Sequence, residues 1–186
     1  MKLLLYCTKS KPYLYKDRGI EYALSDKKLV DSAFTRFNPV NGKIVAECDY
    51  EVEEISTFYA DYYHEELAYE TNTLTYDELL EKSCLNNQQL DNYLYGDNGY
   101  AIHIKNLHIY NEPRELNEYK KHNPEKDSMW GWLSKAPQNM MYCFDVFQNH
   151  YVLISIHPEW LCKILNGEKT VEVRKKVLKR MLENER

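Results

Sequence analysis

The sequence predicts an α+β fold, a small mixed β-barrel whose short strands are joined by brief helices. Three observations predict it. Short segments rich in β-branched, aromatic and apolar residues lie between turn signals, and three of them alternate with the period of a strand. The helical patterns between them are too short for a doubly wound sheet. No GxGxxG or GxxxxGK loop occurs, which removes the dinucleotide and P-loop architectures. At 186 residues with 44% hydrophobic content, the chain can bury a core and suits one domain spanning 1–186.

The elements follow in order. Met1-Lys2 leads into LLLYC, which turns polar at once. That run is too short for a signal-peptide core and lacks a small-residue cleavage site, so it reads as a strand over about 3–8. Asn41-Gly42 opens a strand over about 43–52, where IVAECDYEV alternates. Thr75-x-x-Glu78 is a capping box, and the helix behind it turns Leu79, Leu80 and Leu85 inward. A second set of turns runs to Leu94 before Gly96. Strands over 101–105 and 107–110 come next, and Pro113 at a first helical position predicts a short helix through about Lys121. Strands at 141–147 and 152–156 precede a short helix that Pro158 starts and Gly167 ends. TVEVR forms the strand at 170–174, and Val177, Leu178 and Met181 have helical spacing. The stretches at about 10–42, 55–95 and 120–138 read as insertions of loops and short helices.

The net charge of −5 conceals segregation. Residues 1–46 carry +5, residues 47–100 carry −13, residues 101–150 balance, and residues 151–186 carry +3. Two basic ends brought together would form a patch for phosphate, while the acidic middle reads as a solvated face. The cysteines are Cys7, Cys48, Cys84, Cys143 and Cys162, an odd number without CxxC spacing. Reduced thiols and a cytoplasmic location are expected, with no disulfide framework or zinc site. No apolar run approaches the ~20 residues of a membrane helix. His103 and His108 have no third ligand at metal spacing, so neither metal nor other cofactor is expected.

The stretch SIHPEWLCKILNGEKTVEVR, 155–174, closely resembles the signature of ASCH domains in the PUA-like superfamily. Ser155, Pro158, Ile164, Gly167, Lys169, Glu172 and Arg174 fill its special positions. Segments at 3–9, 42–55, 99–116 and 137–144 also resemble ASCH strands, but the signature that normally comes first is here last. The resemblance therefore implies a circularly permuted PUA-like barrel, or else a truncated second copy at 151–186. Permutation suits a closed barrel whose ends lie close together. It predicts that Met1 enters beside the strand of Arg174, which would place Tyr6 and Thr8 next to that strand.

In TVEVR the valines point one way, while Thr170, Glu172 and Arg174 point the other. With Lys169 at the turn, the second set is expected to line a cleft. Arg174 offers a fork for phosphate, Lys169 a point charge and Glu172 an acceptor for a base amino group. The candidate ligand-binding residues are Lys169, Glu172, Arg174, Ser155, Tyr6, Thr8 and Trp160. Trp130 and Trp132 could join Trp160 in a wall for base stacking. The resemblance implies RNA or a nucleotide with a modified base as ligand. An alternative is a metal-independent amidohydrolase or ribonuclease using Lys169 and Glu172. In the amidohydrolase type, the signature's lysine assists a threonine three residues on; that position here is Glu172, and Thr170 is out of step. A third reading is a protein partner bound through the acidic segment 47–100.

Overall fold

A computed structural model describes residues 1–8, 42–59, 67–123 and 128–183. Of the expected insertion at about 10–42, residues 10–41 lie outside the described residues. The elements are β1 (Lys2–Cys7), β2 (Ile44–Tyr59), β3 (Leu67–Thr71), α1 (Tyr76–Ser83), α2 (Asn87–Leu94) and β4 (Gly99–Arg114). After a 3-10 turn at Leu116–Glu118 come β5 (Lys120–Asn123), β6 (Ser128–Trp132), β7 (Met140–Phe144) and β8 (His150–Ile156). The chain closes with α3 (Pro158–Leu165), β9 (Val171–Arg174) and α4 (Lys179–Glu183).

The fold is mixed α+β and dominated by strands, as expected, but the sheet is open and does not close into a barrel. Hydrogen bonding orders the strands β6-β5-β7-β8-β1-β2-β4-β9, with β3 on β2. β6 and β9 are the two ends of this order and do not pair with each other. The neighbours of β1 also differ from expectation. It runs parallel to β8 and antiparallel to β2, while β9 pairs with β4. Tyr6 and Thr8 are thus not on a strand beside Arg174. The burial of β1 explains its place: Leu3 to Cys7 are all buried, the continuous apolar run of a strand covered on both faces.

By contacts the chain divides into two compact units. Unit 1 comprises residues 1–49 and 106–166. Its core joins Leu4 and Tyr6 of β1, Ile44 of β2, Tyr110 of β4, Cys143 of β7 and Tyr151 and Leu153 of β8, with Tyr119 and Leu133 from the intervening loops. Unit 2 comprises residues 50–105 and 167–186. Its core joins Ile55, Tyr69, Leu79, Leu90, Leu94 and Ala101 to Val171 and Val173 of β9.

Local chemistry accounts for several boundaries. Both arms of the Thr75–Glu78 capping box form: the Thr75 Oγ1 accepts from the Glu78 N–H at 3.3 Å, and Glu78 Oε2 accepts from the Thr75 N–H at 2.9 Å. A second box, Asn86 with Gln89, starts α2. The helix expected from Pro113 does not form. The strand β4 runs on to Arg114, since proline's fixed φ is compatible with extended chain. The cap signal acts later, where Glu118 Oε1 accepts from the Glu115 N–H at 2.6 Å and closes a single turn. Tyr119 then drops into the core and the chain extends into β5. The stretches 55–95 and 120–138 also contribute strands, namely the end of β2, β3, β5 and β6.

Candidate functional site

The charged trio of the signature comes together in unit 2. Lys169 stands 3.3 Å from Glu172 Oε2, and Arg174 Nε stands 2.9 Å from Glu172 Oε1. β9 enters the sheet with Val171 opposite His103 and Glu172 opposite Ile102, so the valines reach the core face and the charges the other. The second face is not an open cleft: Lys169 is 3% and Glu172 7% exposed. Arg174 is the least buried of the three side chains.

The turn before β9 explains the burial. It packs on the C-terminal end of α1, where the last carbonyls lack partners within the helix. The Thr170 N–H donates to the Lys82 carbonyl at 2.9 Å, the Lys169 ammonium donates to the Ser83 carbonyl at 2.6 Å, and the Cys84 thiol donates to the Glu168 carbonyl at 3.4 Å. A cation at a helix C-terminus is favourable, and the trio's net single positive charge faces the negative end of the dipole. Burial pulls the Lys169 pKa below the usual lysine value, and the attraction of Glu172 offsets only part of this. Thr170 is exposed.

The other candidates lie in unit 1. The Ser155 hydroxyl is tied into the fold, donating to the Pro137 carbonyl at 2.7 Å. Thr8 Oγ1 lies 3.4 Å from His157 Nδ1 at the end of β1. Trp160 is half-buried on α3, with the Lys163 ammonium 5.0 Å from its ring centroid. Tyr6 is buried and its phenol pKa is raised by that burial. The side chain of Trp130 lies outside the described residues.

Tyr6 also lines a groove of about 600 Å³ in unit 1, with Glu115, Asn117, Trp132, Ser134 and Lys135. Trp132 is 51% exposed. Glu115 pairs with Lys43 at 2.8 Å. Of these residues, sequence reasoning named Tyr6 and Trp132. It missed Glu115, Asn117, Ser134 and Lys135, because their convergence depends on the unforeseen strands β5 and β6. The run LSKAP after Trp132 carried no motif by which to find them.

The acidic character of β2 is answered across strands. In unit 1, Glu47 pairs with Lys2 at 2.5 Å and accepts from Tyr110 at 2.7 Å, while Asp49 accepts from Asn106 at 2.8 Å. In unit 2, Glu51 pairs with Lys105 at 2.6 Å, and His103 stands 3.3 Å from Glu53. Alternation at 47–53 puts these acids on one face and Cys48 and Val52 on the buried one.

Among the described residues no group of three or more His, Cys, Asp and Glu could hold a metal ion, and no helix is long and apolar enough to cross a membrane. Comparison with protein-family models, with curated proteins and with solved structures finds no match to this chain.

Proposed function

We propose that this protein binds RNA or a nucleotide, with a base entering the groove of unit 1. The observation that carries the reading is the composition of that groove. Trp132, half exposed, supplies aromatic surface for a base, and the largely buried Tyr6 lines the same groove. The Asn117 amide, Ser134 hydroxyl and Glu115 carboxylate can read polar edges, and the Lys135 ammonium suits a phosphate. The resemblance of 155–174 to the ASCH signature supports the same ligand class, and on this reading the chain is a permuted ASCH domain of the PUA-like superfamily. The signature's trio, in unit 2, is a separate candidate on this reading, with Arg174 as its contact for a ligand and Lys169 and Glu172 positioning it.

Binding rather than turnover fits the signature's departure at Glu172. A threonine nucleophile is replaced there by a carboxylate whose two oxygens face Lys169 and Arg174.

The test is calorimetric titration with the four ribonucleoside monophosphates and an N-acylated cytidine, with amide NMR to place the contact. Saturable binding that moves the signals of Tyr6, Trp132 and Lys135 is expected. Trp132→Ala should weaken it by about 5- to 150-fold, the equivalent of ~1–3 kcal/mol for a stacked base. Absence of saturable binding across the panel overturns the proposal.

A further inference from the structure

The register of four strands in unit 1 sets an aromatic and basic row on one sheet face. Trp132 of β6 lies opposite Lys120 of β5, Lys120 lies opposite Phe144 of β7, and Phe144 lies opposite His150 of β8. Residues paired directly across neighbouring strands share a face. His122, two residues beyond Lys120, joins them: its ring centroid is 4.9 Å from that of His150 and 6.0 Å from that of Phe144. The Lys120 ammonium sits 4.5 Å from the Trp132 ring centroid. Tyr119, Cys143 and Tyr151, the alternate residues, enter the core, so this row faces away from it.

We propose that this face binds single-stranded nucleic acid, with Trp132 stacking a base and Lys120, His122 and His150 following the phosphates. The inference rests on the nucleotide-binding reading above and names the form of the ligand. Three features argue for it. First, the row's members among the described residues are a cation, imidazoles and apolar rings, without a carboxylate, a complement to phosphate. The acid next to it in sequence, Asp145, is buried and accepts from the Phe147 and Asn149 N–H groups, the Asn149 amide and the Tyr151 hydroxyl.

Second, Trp132 is half exposed and His150 is exposed, while Phe144 between them is buried, with the rings of His122 and His150 against it. Flat rings on a sheet can be reached only by bases that are unstacked, which a duplex does not offer. Third, the row crosses three inter-strand spacings, roughly 14 Å, enough for a short run of nucleotides. Trp132 stands at one end of the row and also lines the groove, so a base held there and the strand leaving it would share one indole.

The test is fluorescence anisotropy on the full chain with labelled ten-nucleotide oligouridylate and oligoadenylate, single-stranded and as the duplex, at low and at physiological salt. Tighter binding of the single strands than of the duplex, by about tenfold or more, is expected. Lys120→Ala and His150→Ala should each weaken the oligonucleotides, and His150→Ala, which neither lines the groove nor touches Trp132, should leave mononucleotide binding unchanged. Lys120→Ala should also lower the salt slope by about 0.7. Oligonucleotides that bind no tighter than mononucleotides, or that ignore both substitutions, overturn this inference and leave the nucleotide reading standing. Failure of both oligonucleotides and mononucleotides to bind overturns the two together.

Discussion

The Lys169 ammonium donates to the carbonyl oxygen of Ser83, the last residue of α1, at 2.6 Å. One side chain thus closes the end of a helix and neutralises Glu172 at the same time. A lysine that is 3% exposed has lost most of its hydration, and its place depends on both partners. Lys169→Ala leaves Ser83 without its donor and Glu172 with Arg174 alone. It should destabilise unit 2 by ~1–3 kcal/mol, the cost of a buried acceptor left without its donor, read from urea denaturation. A cost below about 1 kcal/mol, the range of an exposed pair, would show the contact to be incidental.

The buried thiols set the alkaline limit. Burial pushes Cys7, Cys48 and Cys143 from 9.0 up to about 12. In the unfolded chain they ionise near 9, while the folded chain keeps its protons until about 12. The unfolded state therefore binds fewer protons in that window, and stability falls as pH rises through it. Burial raises Tyr110 and Tyr151 as well and adds to the fall above pH 10. Thermal melts at stepped pH should show a steady decline from about pH 9 upward. In native protein at pH 8, these three thiols should resist a disulfide reagent until the chain unfolds.

Asp145 governs the turn between β7 and β8. Burial alone would raise its pKa, but hydrogen bonds from Asn149, Tyr151 and Phe147 hold it below the ordinary 3.8. Its contribution is present above the unfolded value and is lost as pH falls through the folded one. Asp145→Asn places an amide donor among four donors and should cost ~1–3 kcal/mol. It should also flatten the acid side of the stability profile and speed hydrogen exchange at residues 147 and 149. Phe147, 82% exposed at the tip, would lose its fixed presentation.

How much of this was legible in the sequence depends on the range of the interaction that decides it. The Thr75–Glu78 box and the Pro158–Gly167 helix were readable because each is fixed within a few residues. The alternation of β2 and β9 was readable too, and it placed the acids and valines on their faces. Sheet closure was not readable: whether β6 meets β9 depends on partners far apart in sequence, and alternation is the same in a barrel and an open sheet. The trio at Lys169, Glu172 and Arg174 was found because three charges lie within six residues. Its burial was hidden, since it depends on the C-terminal end of α1, 86 residues away in the chain.

Glu172 links Lys169 and Arg174, two cations that repel each other, and this shared carboxylate makes their substitutions non-additive. Arg174→Met removes the least buried cation and leaves Glu172 paired with Lys169. Lys169→Met removes the other and leaves Glu172 paired with Arg174. Either single variant keeps one counter-charge on the carboxylate. The double variant leaves a 7% exposed carboxylate with neither. A buried charge without a partner is far more costly than one with a single partner. The double variant should therefore lose at least ~1 kcal/mol more than the sum of the singles, by denaturant unfolding at neutral pH. Adding Glu172→Gln to it should recover part of that loss, because the uncompensated charge is then gone. Simple additivity across the cycle would mean that water, rather than the two cations, solvates Glu172.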